Sequence, residues 1–342
     1  MKRQEAARKL LENDIRGILD IIANCSGDTS IHFVLGGLLY FATIISGALD
    51  WCEKANIQAE CFADREVVDK LRAKVKLYVS DNAIPLPEQK VLMSSIVEIE
   101  KQYWIDCQAK SGKKCPISWI PDVGAYRVNG HYIGNTLEYA YEYSPLNPEK
   151  KAILDALGGK DKESSAIYQF AVQLGKTLQN LHTQVVGQRY LWSRGNDDII
   201  SVQSIDFRMS NRRFFRNDNA IFAFNLCCRV NYLLEMLIPL CEHNSLLAFR
   251  LTYITFYHLK FDLENLGMEQ IYYAMPYRDK TFRNTMAHYS LFGKISDAEI
   301  DEHVIGYGLF EKFFNAPFQT VNDTIIMDLK KTRDSLEQYV KI

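Results

Sequence analysis

Residues 33–49, FVLGGLLYFATIISGAL, carry no charged side chain over 17 consecutive positions. A helix this apolar must lie either in a bilayer or inside the protein. Spanning a bilayer takes about 20 apolar residues. This run falls short of that, follows His32, and contains Gly36, Gly37, Ser46 and Gly47. Small residues on a helix let a neighbour approach closely, so the pattern predicts a buried core helix with a tight packing face. The alternative is a membrane-associated helical protein, which would partition into detergent. The first residues, MKRQEAARKLLENDIRGIL, mix both charge signs. They read as an amphipathic helix rather than a signal peptide.

The rest of the chain also reads as mostly helical. In residues 2–24, Leu10, Leu11, Ile15, Ile18, Leu19 and Ile22 fall at helical spacing. Further helical patterns cover 30–54, 64–80, 86–109, about 136–144 and 164–186. Near 123–134, Asn129-Gly130 sits between aromatic-rich flanks and predicts a small β-hairpin insertion. ISVQSIDF, from residue 200, has the composition of a strand. Residues 219–242 are apolar nearly all round, and 244–266 form a long helix with an aromatic-rich face. Helical segments at 277–291, from Ser296 to about 314, and at 318–341 follow; Ser296 and Glu299 form a capping box. Short connections favour antiparallel neighbours, hence an up-and-down bundle. The expected organisation is a helical region over 1–190, a linker over 191–218 and a helical bundle over 219–342.

At 342 residues, with 47% hydrophobic and 24% charged side chains, the chain can bury a sizeable core, so disorder is excluded as the main state. The formal charge of -2 excludes a strongly basic nucleic-acid coat. Residues 217–342 hold 12 Lys and Arg against 16 Asp and Glu, so the C-terminal part is the acidic one. Any phosphate ligand there must be captured by a few local cations. None of the eight cysteines forms C-x-x-C, and they read as free thiols in a reducing, cytoplasmic setting. The histidines lack metal-ligand spacing, and His131 and His182 read as structural.

The sharpest chemical feature is TFRNTMAHYS, residues 281–290. It holds a permanent cation, Arg283, an amide, Asn284, and an imidazole, His288. On a helix, Asn284 and His288 are neighbours at i and i+4, so the amide can fix the imidazole's tautomer. Arg283 and His288 stand about 140° apart. A pocket built from them needs completion by a second helix or a second copy. Arg matches phosphate oxygens with a planar fork, and His exchanges protons near neutrality. With RNA, the ribose 2′-OH is an internal nucleophile, and cleavage needs only a base, an acid and charge stabilisation.

This motif and its helical context resemble the HEPN superfamily, whose ribonucleases carry R-N-x-x-x-H, here Arg283, Asn284 and His288. The tight pattern arises by chance roughly 0.02 times per chain of this composition. The resemblance covers about residues 219–342. It implies a metal-independent, cofactor-free endoribonuclease leaving 2′,3′-cyclic phosphate and 5′-hydroxyl ends. It also implies a homodimer in which two motifs meet. In those roles Arg283 holds the phosphate, His288 is the acid/base and Asn284 orients. The setting implied is prokaryotic antiviral defence or stress, with RNA as substrate and a regulatory or antitoxin protein as partner. A toxin subgroup has Tyr two residues after the His; here Ser290 stands there and the tyrosine is Tyr289. A non-catalytic HEPN-like module that binds RNA or nucleotide is the alternative.

Weaker candidates surround the motif. Arg278, Lys280 and Tyr289 lie close enough in sequence to contact RNA. Arg212, Arg213 and Arg216 interleave with Phe214 and Phe215, a composition that binds phosphates and stacks bases.

Overall fold

In the computed structural model the chain is mainly helical. Residues 2–24, 27–76, 124–135, 138–139, 142–143, 146, 166–191, 200–206, 218–241, 245–265, 267–271, 276–287 and 308–340 are described. The helical pattern at 86–109, the basic segment with Arg212, Arg213 and Arg216, the capping box at 296–299, and His288 and Tyr289 lie outside them.

Three helices open the chain: α1 (Lys2–Asn24), α2 (Gly27–Lys54) and α3 (Arg65–Lys76). The stripe read from the sequence of α1 is its buried face, with Leu11, Ile15, Ile18 and Leu19 fully enclosed. That face meets α4 (Ala166–Val186), where Arg8 reaches the Val185 carbonyl through Nε at 2.9 Å. Helix α2 is long and apolar enough to cross a membrane by length and composition, yet 78% of its apolar window is buried within the protein. The residues enclosing it come from both sides in sequence. Asp50, near its end, pairs with Arg65 and Arg72 of α3.

A hairpin of β1 (Gly124–Val128) and β2 (His131–Asn135) is joined antiparallel by β3 (Gln203–Asp206), giving the order β2-β1-β3. Asn129 and Gly130 both have positive φ, at 51° and 88°, as a type I′ turn requires. The hairpin rests on later helices. These are α5 (Asp218–Tyr232), prolonged by a π-turn at Leu233–Leu237 and a last turn to Leu240, and α9 (Phe318–Val340). His131 Nδ1 lies 2.8 Å from Glu337 of α9, and Asn231 of α5 donates to the Tyr132 carbonyl at 3.0 Å.

The remaining elements are α6 (Ser245–Asn265), α7 (Lys280–Ala287) and α8 (Gly308–Phe314). Helices from before residue 190 and after residue 219 share one core. Gly36 and Gly37 bring the Tyr232 ring of α5 against α2, where its hydroxyl donates to the Phe33 carbonyl at 2.9 Å. Asp14 of α1 pairs with Arg250 of α6 at 3.3 Å, both fully buried. Tyr40 of α2 meets Thr255 of α6 at 3.1 Å. Cys52, Cys227, Cys228 and Cys241 are buried free thiols and Cys61 is half-buried.

Candidate functional site

Helix α7 carries the first half of the Arg-Asn…His motif, and its position is set by the residue before Arg283. Phe282 is fully buried among five rings: Phe249, Tyr253, Phe310, Phe313 and Phe314, with centroids 4.6–6.2 Å away. Asp279 caps the helix, its Oδ1 accepting from the Phe282 N–H at 2.7 Å. The Tyr253 hydroxyl of α6 completes the start. It donates to the Tyr277 carbonyl at 2.7 Å and accepts from the Asp279 N–H at 3.1 Å. Burial, first of all, pushes the Tyr253 phenol well above its ordinary value, so it stays a donor at any physiological pH.

With Phe282 anchored inward, Arg283 leaves the helix toward α6 and Asn284 faces solvent. The Arg283 guanidinium carbon lies 4.9 Å from the centre of the Tyr257 ring. A second guanidinium reaches the same ring. Arg278 sits 4.4 Å from Tyr257 and 4.3 Å from Phe261, and its Nε donates to the Tyr257 carbonyl at 2.8 Å. The structure thus brings Arg278 and Arg283 together on one aromatic platform. Lys280, at the first position of α7, stays exposed.

The two arginines are not paired with carboxylates among the described residues. Arg278 Nη2 and Arg283 Nε are buried donors without a hydrogen-bond partner among the described residues. Contact with one ring keeps the two guanidinium carbons within about 9 Å of each other. Their repulsion is then at least roughly 0.5 kcal/mol in a water-like dielectric and about 2 kcal/mol near a protein surface. Cation–π contact returns a similar amount, about 0.5–2 kcal/mol each. The arrangement is therefore balanced rather than strongly stabilising by itself. An anion placed between the two cations would remove the repulsion and accept the unspent N–H groups.

Tyr257 and Phe261, at i and i+4 on α6, form the platform, and neither was distinguishable within the aromatic-rich face of 244–266. The other singled-out histidines have structural partners: His182 Nδ1 lies 2.9 Å from the Gln188 carbonyl, and His131 pairs with Glu337. Comparison with models of known protein families, with characterised proteins and with solved structures gives no match.

Proposed function

We propose that the Arg278–Arg283 platform is the phosphate-binding half of a metal-independent, HEPN-type endoribonuclease. The observation that carries this reading is the convergence of two guanidiniums, each with an unspent buried donor, on Tyr257. A purely structural arginine at either position would be expected to meet a carboxylate or a set of carbonyls. The tight motif supplies the rest. His288 takes the proton of a ribose 2′-OH as that oxygen attacks the adjacent phosphorus. The 5′-oxygen then leaves with a proton from a second imidazole, that of another copy of the chain, and a 2′,3′-cyclic phosphate remains. Arg283 and Arg278 stabilise the charge that builds on the phosphoryl oxygens. Asn284, exposed and one turn before His288, orients the imidazole.

The acidic balance of residues 217–342 fits a small site with few phosphate contacts. Salt should then weaken binding only modestly, because few counterions are released. Incubating wild type and His288→Ala with mixed RNA in the presence of EDTA tests the assignment. Cleavage by wild type and its loss in the variant are expected. Equal cleavage by both, or RNA binding without cleavage by either, removes the catalytic reading; the second outcome leaves a binding module.

A further inference from the structure

A second set of ionisable groups lies away from the arginine platform, where α2, residues 138–139 and 142–143, and α5 meet. Glu138 and Glu142 are both nearly fully buried, one helical turn apart. Glu142 is salt-bridged: Arg229 of α5 donates to its Oε1 at 2.8 Å. Glu138 Oε2 and the Tyr139 hydroxyl are buried without a hydrogen-bond partner among the described residues. Both residues line a small, partly open cavity of about 20 Å³ with Gly36, Tyr40, Glu142 and Arg229. That volume admits one water and nothing larger.

Arg229 is hydrogen-bonded to Glu142 and Lys74 of α3 also acts on Glu142, so among the described residues Glu138 has no hydrogen-bonded cation of its own. Ionising both would leave one buried negative charge unpaired, and a buried group in that position takes up a proton instead. Burial, then the Glu142 carboxylate, push Glu138 well above the usual carboxylate range, and Arg229 only partly opposes them. The other neighbours do not change the sign. Tyr40 of α2, Tyr139 and Tyr143 are buried phenols pushed upward chiefly by burial, and so is the Cys228 thiol of α5. Lys74 of α3, lowered to about 8 by burial, acts on Glu142.

We propose that Glu138 is held as a neutral carboxylic acid that shares a single water with the Tyr139 hydroxyl, forming a proton-operated latch between α2 and α5. The latch is anchored on both sides. The Glu138 N–H donates to the Asn135 side chain at 2.9 Å, and Asn135 donates to Asn225 of α5 at 2.8 Å. Tyr143 donates to the Leu35 carbonyl of α2. Loss of the Glu138 proton to solvent places a second buried carboxylate beside the Glu142–Arg229 pair and loosens this junction. The unfolded chain ionises Glu138 at ordinary pH, whereas the folded protein keeps its proton. Stability therefore falls as pH rises above the ordinary carboxylate range, until the folded group itself ionises. The unfolding constant rises by up to tenfold per pH unit from this group alone.

Two measurements on the full chain test the latch. In infrared difference spectra at neutral pH, wild type should show a protonated carboxyl C=O band that Glu138→Gln removes and Tyr139→Phe shifts. In urea titrations from about pH 6 to about pH 9, wild type should lose stability relative to Glu138→Gln, with their unfolding constants diverging toward tenfold per unit. If the Gln variant does not fold, the Tyr139→Phe band shift decides alone. No acid band at neutral pH, a band indifferent to Tyr139→Phe, or parallel pH profiles would overturn the proposal.

Discussion

A methyl group at position 36 should separate two opposing effects of replacing a helical glycine. In a helix interior, alanine is favoured over glycine by about 0.5–1 kcal/mol. At Gly36, however, the added carbon would stand 2.2 Å and 2.4 Å from Cε2 and Cδ2 of Tyr232, against about 3.5–4.0 Å for ordinary carbon contact. The ring has nowhere to retreat. It is buried, stacked on Tyr40 with centroids 6.1 Å apart, and tied through its hydroxyl to the Phe33 carbonyl. Overpacking a core costs about 1–3 kcal/mol. If the ring is displaced, the buried hydroxyl loses its acceptor at a further cost of about 1–3 kcal/mol. Setting the helix gain against both, Gly36→Ala should destabilise by about 1–5 kcal/mol. Gly175 in α4 is the control, because a Cβ there meets nothing within 4 Å. Gly175→Ala should stabilise by about 0.5–1 kcal/mol. Urea unfolding of both variants, at unchanged denaturant sensitivity, gives the comparison. Equal or greater stability of Gly36→Ala would refute the close α2–α5 packing.

Other consequences follow from the same contacts. Arg229→Met alone strips buried Glu142 of its hydrogen-bonded cation and should cost about 3–5 kcal/mol, whereas Arg229→Met with Glu142→Leu should lie much nearer wild type; thermal or urea unfolding distinguishes the two. Arg278→Ala and Arg283→Ala should each weaken binding of a non-cleavable 2′-deoxy oligonucleotide, measured by fluorescence anisotropy. Arg283→Lys should not restore it fully, because the ammonium lacks the planar fork. Binding unchanged in both alanine variants would remove the phosphate from the platform.

Sequence was most informative where structure is local. Asn129-Gly130 specified the hairpin turn because both residues tolerate positive φ. The spacing of Leu10, Leu11, Ile15 and Ile18 specified the buried face of α1. The strand character of ISVQSIDF was readable, but its pairing with β1 across some 75 residues was not, because strand composition carries no partner information. The site divides the same way. Arg283 stood out through its motif, whereas Arg278 acquires its place only when α6 delivers Tyr257 and Phe261 beneath it. Glu138 and Glu142, written within EYAYE, look like the solvent face of an amphipathic helix. Their burial depends on Arg229, nearly ninety residues later.

The most direct test of the proposed reaction is end mapping on a defined RNA in EDTA. The substrate is prepared in two forms, one all-ribose and one with a single 2′-deoxynucleotide at the cleaved position. The expected result is a 2′,3′-cyclic phosphate and a 5′-hydroxyl from the all-ribose strand, no cleavage of the 2′-deoxy strand at that position, and no cleavage of either by Arg283→Ala. Cleavage that survives removal of the 2′-hydroxyl, or that persists in Arg283→Ala, would contradict it.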